Sequence, residues 1–255
     1  MVKGVRASAV ASIVAFMAVV NAPAGAQVVA DDATRYMAMG DSIAAGFRAQ
    51  PATNGYAFLL YQNGAFDRIS HTVFNDIAAV GATSDDVLKF QVPQALIPAA
   101  RGGFVPQFIT LTVGGNDIAA IRAFLAANPT PLELEGFIAL TLLSYENHLR
   151  DILQQLVVTL PTAKIFVANQ YTIPELEALF PGGAEVVAAF NQRTAGVVDE
   201  FQGHAYLVDV HGAFLDRNGL LLIERHDASQ LEVHLTNAGH RTMAKAFAEV
   251  IEENK

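Results

Sequence analysis

Five short apolar runs alternate with longer stretches of helical periodicity along the chain. Residues 36–39 form the first, and residues 71–77 a weaker second. Residues 108–113 (Phe-Ile-Thr-Leu-Thr-Val) are the clearest and are rich in β-branched side chains; residues 164–169 and 205–210 complete the set. Strands this apolar, separated by helices, belong to a parallel sheet covered on both faces. Between them, Leu149, Ile152, Leu153, Leu156, Val157 and Leu160 fall at i, i+3, i+4 spacing. That spacing predicts a helix with one apolar face, which Pro161 ends. Another helix is predicted over residues 186–201, entered after Pro181-Gly182-Gly183. A last helix runs to about Ile251, capped by Thr236 or Asn237, with Ala244, Phe247, Ala248 and Ile251 facing inward. Strand and helix alternate throughout with no dividing linker, which predicts one doubly wound α/β domain.

The first 26 residues follow a different pattern. Lys3 and Arg6 give a basic start, residues 9–20 carry no charge, and Ala24-Gly25-Ala26 is a small-x-small cleavage site. This predicts a secretory signal peptide over 1–26, ahead of a domain over 32–255. The apolar stretch is short for a membrane span, and no stop-transfer flank follows, so no stable membrane insertion is expected after cleavage. A retained N-terminal anchor is the alternative.

The formal charge of −9 becomes −11 once the two cations of the leader are removed, and the remaining basic residues never run together. Nucleic acid and anionic membrane are therefore not expected partners. Cysteine is absent, which excludes disulfides, a thiolate metal site and a cysteine nucleophile. At 52% hydrophobic, the chain has ample material for a large core, and stability must come from packing.

Four segments carry candidate chemistry. Gly40-Asp41-Ser42 lies where the first apolar run ends, and a helix is predicted to open behind it. Glycine permits a sharp turn there, and a serine at the carboxyl end of a strand sits where α/β sheets bind ligands. Ser42 is equally suited to cap a helix. Gly81 follows the second strand and would bring a bare backbone N–H close to a substrate oxygen, as an oxyanion hole requires. It is also an ordinary loop glycine before a helix capped by Thr83 or Ser84. Gly114-Gly115-Asn116-Asp117 follows the clearest strand. The Asn116 amide is a neutral donor needing no set protonation state, although the four residues are also good turn formers. His234, just before the last helix, has the pKa range of a general base, though it is one of seven histidines. His240, inside that helix, reads as structural or exposed.

Taken in order, these segments resemble the SGNH, or GDSL-type, hydrolases. The four blocks of that family are matched by Met39-Gly40-Asp41-Ser42-Ile43-Ala44-Ala45-Gly46, by Ala78-Ala79-Val80-Gly81-Ala82-Thr83-Ser84, by Val113-Gly114-Gly115-Asn116-Asp117 and by His234-Leu235-Thr236-Asn237-Ala238-Gly239-His240. The resemblance implies a flavodoxin-like, three-layer α/β/α fold with a five-stranded parallel sheet. It implies hydrolysis of small-molecule, lipid or carbohydrate esters with neither metal nor organic cofactor. It carries Ser42 over as nucleophile and His234 as general base, with the Ser42 and Gly81 backbone N–H groups and the Asn116 amide as oxyanion hole. No Gly-x-Ser-x-Gly elbow occurs, so the larger α/β-hydrolase family is not matched.

The chain departs from the family at one point. The aspartate usually found three residues before the catalytic histidine is replaced by Leu231. Glu232, Asp227 or a backbone carbonyl remain as partners for the imidazole; the last would make a Ser42–His234 dyad. Two other function classes are weighed against ester hydrolysis: a metal-dependent hydrolase using His226, Asp227, His234 and His240, whose spacing fits no standard ligand motif, and an exported binding protein that keeps the fold without the activity. Residues 131–145 are unusually apolar and read either as a packed helix or as a lid over an acyl pocket.

Overall fold

The computed structural model describes residues 32–172, 180–215 and 233–255. All five predicted strands are present: β1 (Thr34–Gly40), β2 (Thr72–Asp76), β3 (Phe108–Thr112), β4 (Lys164–Ala168) and β5 (Ala205–Val208). They pair in parallel throughout, in the order β2-β1-β3-β4-β5. That is the flavodoxin-like order. The central strands are apolar on both faces because both are covered: Met37, Ala38 and Met39 of β1, Ile109 and Leu111 of β3, and Ile165, Phe166 and Val167 of β4 are all buried. Thr110 is a buried polar exception, and its hydroxyl is satisfied by Tyr36 Oη at 2.8 Å.

The helices divide into two layers. α1 (Tyr56–Gln62), α6 (Val210–Phe214) and α7 (Asn237–Asn254) pack together on one face. The other face carries α2, helical in three consecutive pieces (Ser84–Asp86, a π-type turn at Val87–Gln91, and Val92–Ala100), with α3 (Gly115–Leu125), α4 (Pro131–Thr159) and α5 (Gly183–Asp199). The two layers follow from the strand order. From β1 the chain crosses one way to β2, and from β2 onward it crosses the other way, to β3, β4 and β5; right-handed crossovers then place α1 on one face and α2 to α5 on the other. β1 and β3 are therefore neighbours at the switch point, where a crevice opens beyond their carboxyl ends. No helix among the described residues is long and apolar enough to cross a membrane.

The helix predicted from Leu149 onward is the second half of α4, whose 29 residues begin at Pro131. Thr130 caps it in a capping box with Glu133, and Pro131 stands at the first helical position, a start signal written in the sequence. The apolar segment 131–145 is therefore mostly the first half of this helix. Phe137 stacks on Phe124 of α3 at 4.3 Å between ring centroids, whereas Leu132, Leu140 and Leu143 are exposed. None of its residues lines the cavity described below, so the segment is not a lid over that cavity.

Candidate active site

β1 ends on Gly40 with φ +124°, a conformation reserved for glycine. A Cβ there would lie 1.9 Å from the Thr112 carbonyl oxygen. The close approach is held from several sides. Asp41 N–H donates to Thr112 O at 3.0 Å. Gln91, buried in α2, accepts from Gly40 N–H and donates to Gly40 O, both at 2.7 Å. The Asp41 carboxylate accepts from Thr112 Oγ1 at 2.8 Å and from Ile43 N–H at 3.0 Å. Ser42 is thereby fixed at the carboxyl edge of the sheet. No helix follows it, contrary to the sequence expectation: residues 41–48 are bends and turns. Gly46 and Arg48 both take positive φ, which interrupts a right-handed helix before it can propagate. The short-range cap in this turn is Asp41 rather than Ser42.

His234 reaches this edge from a point 192 residues further along the chain, and its Nε2 lies 3.1 Å from Ser42 Oγ. Its loop is tied at three places. Tyr171 Oη donates to Val233 O at 2.5 Å. Thr236 caps α7, its Oγ1 accepting from Gly239 N–H at 3.1 Å. The Asn237 side chain accepts from Gln50 N–H at 3.0 Å and donates to Gln50 O. The Phe47 ring meets the imidazole edge-on at 4.7 Å. His240 is buried, its Nδ1 accepting from Tyr56 N–H at 3.2 Å; it joins α7 to α1. Glu232 and Asp227, as well as His226 and Leu231, lie outside the described residues.

Asn116 stands in the first turn of α3, which Gly114 opens at φ +117°. Its Nδ2 donates to Ala82 O at 2.8 Å, fixing the amide plane and leaving one N–H unused by that bond. The same bond holds the loop of Gly81, which has φ +84° and open space where a Cβ would be. A second tie joins the two loops: Asp117 accepts from Ser84 N–H at 3.0 Å and from Ser84 Oγ at 2.6 Å. With its proton on Asp117, Ser84 Oγ accepts from His148 Nδ1, 2.9 Å away. This Ser–His–Asp grouping is fully buried at its serine, and its acid bonds the serine instead of the histidine. Its role is to lock the Asn116 loop against the Gly81 loop. Nothing in the sequence marks His148 or Gln91 for these tasks, because a single polar residue in a helix ordinarily reads as exposed.

Ser42 and Asn116 line one cavity of about 300 Å³. Its walls are largely apolar, with Ile43, Ile118, Phe180, Val187 and Met243 among them; Gly81 is not on its wall. A mostly apolar cavity with a few convergent polar groups is the usual form of a small-molecule site.

Two buried groups beside the site give opposite pH slopes. Burial pushes the Asp41 carboxyl up from 3.8 to about 6, against its hydrogen bonds with Thr112 and Ile43. A folded value above the unfolded one means that the fold favours the protonated form. This contribution is complete below about pH 3.8 and is lost as pH rises through 6. Burial pushes His240 down from 6.5 to about 4, so the fold favours the neutral ring, and that contribution is lost as pH falls through the same range. Asp41→Asn removes the first slope alone. Relative to wild type, it should gain about 2 kcal/mol of stability between pH 4.5 and pH 7.5. Urea unfolding of both proteins at the two pH values measures this; a difference that does not change with pH would refute the assignment.

The model of the GDSL-like lipase/acylhydrolase family matches residues 38–242. No curated protein matches the chain. Among solved structures, an extracellular lipase from Streptomyces rimosus is 20% identical, covering 88% of this chain and 100% of its own, with a TM-score of 0.62. A phospholipase A1 from Streptomyces albidoflavus is 18% identical, with coverages of 88% and 100% and a TM-score of 0.60. A mutant of an acetyl-xylooligosaccharide esterase from Geobacillus is 19% identical, with coverages of 86% and 95% and a TM-score of 0.60. At these identities the likeness shows the fold.

Proposed function

The chain belongs to the GDSL-like lipase/acylhydrolase family and is a carboxylic ester hydrolase, and from that premise we propose that it works through an acyl-enzyme on Ser42. The observation that carries this reading is the 3.1 Å contact between His234 Nε2 and Ser42 Oγ, the serine lining an apolar cavity. Serine becomes a competent nucleophile when an adjacent base takes its proton. His234 removes the Ser42 proton as Oγ attacks the ester carbonyl. The oxygen that gains charge is met by Ser42 N–H, Gly81 N–H and the Asn116 amide. His234 then protonates the leaving alcohol, which departs. A water molecule, deprotonated by the same imidazole, releases the acid and restores the serine. The bond from Asn116 to Ala82 O supports this reading, since an oxyanion donor is effective in proportion to how far it is preorganised. Short acyl esters, lipid esters and acetylated sugars all offer the required carbonyl, and the structurally similar lipase, phospholipase A1 and acetyl-xylooligosaccharide esterase span those classes. The leader over residues 1–26 marks the enzyme for export.

Both parts are tested by one peptide-mapping experiment. The full chain is expressed in a bacterium with an export pathway, recovered from outside the cytoplasm and treated with a fluorophosphonate. Mass spectrometry should find the adduct on Ser42 and an N-terminal peptide beginning at Gln27. An unlabelled Ser42 would sink the nucleophile and favour a non-catalytic binding protein; an intact leader on cell-retained protein would sink export.

A further inference from the structure

Among the described residues, Arg122 is the one basic residue on the wall of the Ser42 cavity. It lies on α3, where Gly115, Ile118, Ala119 and Arg122 line the cavity at i, i+3, i+4 and i+7, one face of the helix. Its Nε is buried and, among the described residues, has no hydrogen-bond partner. Among the described residues its guanidinium makes no ion pair, although acids outnumber bases in the chain by 25 to 16. The other charged side chain on the cavity wall, Asp41, is occupied with Thr112 and Ile43. The side chain as a whole is half-buried, so it is this Nε–H that has given up water without gaining a partner, and a buried polar group left in that state calls for an explanation. Arginine's planar fork is matched to carboxylate and phosphate oxygens.

We propose that Arg122 receives an anionic group of the substrate, so that the preferred esters carry a carboxylate or phosphate beside the scissile bond. The proposal rests on the reading of Ser42 as nucleophile and adds a substrate class to it. Arg122 is six residues beyond Asn116, a rise of about 9 Å along the helix axis. Its long side chain shortens that span by leaning back toward the helix N-terminus. The anion is therefore expected within a few bonds of the carbonyl that meets the Asn116 amide. The chain as a whole is acidic and would repel such a substrate at long range. Selectivity must arise inside the cavity, where apolar walls strengthen a charge pair.

Two matched pairs of esters test this and separate the two sources of charge. Monoethyl adipate against ethyl hexanoate places a carboxylate on the acyl side. Butyryl glycerol 3-phosphate against monobutyrin places a phosphate on the alcohol side. In at least one pair, kcat/KM should favour the anionic member, and Arg122→Gln should lower that anionic-to-neutral ratio about 10- to 100-fold, the range of a charge-assisted hydrogen bond. Arg122→Lys should restore part of the ratio. A ratio unchanged by Arg122→Gln in both pairs would overturn the proposal, and because it is a ratio, a general loss of active protein does not mimic the effect. Binding is read separately as the thermal shift given by adipate and by glycerol 3-phosphate. At least one should stabilise both wild type and Ser42→Ala and fail to stabilise Arg122→Gln. If no ester is hydrolysed, the Ser42 reading falls while the thermal shifts still decide the role of Arg122; equal shifts with and without the guanidinium, or none at all, would refute it.

Discussion

Ser42→Ala should lower kcat for a short p-nitrophenyl ester by about 10⁴- to 10⁶-fold while leaving the thermal midpoint nearly unchanged. The substitution removes only an oxygen, and the turn that presents it is held by Gly40, Asp41, Thr112 and Gln91 without the Ser42 side chain. His234→Ala should cost a similar amount, because Ser42 without its base is an ordinary alcohol. The double variant should be little worse than either single one, since the two groups act as one unit and their losses do not add. Asn116→Ala should cost less, about 10²- to 10³-fold, as expected for one oxyanion donor among three. This grading is the informative part. Equal small losses at all three positions would point to general disturbance of the cavity. Full activity in Ser42→Ala would remove the mechanism altogether. The measurements are made with EDTA present, and activity lost to the chelator alone would revive a metal-dependent reaction.

The second large effect falls on stability. Gly40→Ala should destabilise the fold by more than about 4 kcal/mol, enough to leave little soluble protein when domains are typically stable by about 5–15 kcal/mol. Two penalties coincide there. The backbone at φ +124° is one that residues with a Cβ avoid, and the new carbon would overlap Thr112 O at 1.9 Å. Relief would require β1 to move away from β3, breaking the parallel register that pairs Gly40 with Thr112. Gly81→Ala is the control. It also has positive φ, at +84°, but its Cβ would meet nothing within 4 Å. It should lose only the backbone term, about 1–2 kcal/mol. Comparing soluble yield and urea midpoints of the two variants checks this; similar losses would mean that backbone strain, and not the approach of β3, sets the requirement at Gly40.

Much of the fold is legible in the residues. A strand buried on both faces must be apolar throughout, so residues 108–113 and 164–169 announce a covered parallel sheet. Helices with one apolar face announce themselves by period, as Leu149 through Leu160 do. Local chemistry with a fixed offset is equally readable: the Thr130–Glu133 capping box and Thr236 as the cap of α7 are both written in sequence. The residues mislead where conformation depends on distant partners. The local pattern after Ser42 predicts a helix, yet positive φ at Arg48, which no propensity predicts, belongs to a turn. The apolar segment 131–145 reads as separate from the helix after it, because composition reports hydrophobicity and not what covers it.

The candidate site divides in the same way. The sequence by itself determined the residue types and their stations: a serine, an amide and a histidine, each just past a strand or just before the last helix. It did so because glycine, asparagine and histidine have narrow chemical uses and because strand ends are marked by local pattern. Only the tertiary structure decided that His234 Nε2 comes within 3.1 Å of a serine 192 residues away, that Gln91 and Ser84 brace the loops from inside, and that Arg122 stands on the cavity wall with its Nε unpartnered among the described residues. Those facts are distances between segments remote in sequence. They are set by strand order, crossover handedness and the close packing of two helical layers, none of which is a property of any short stretch of chain.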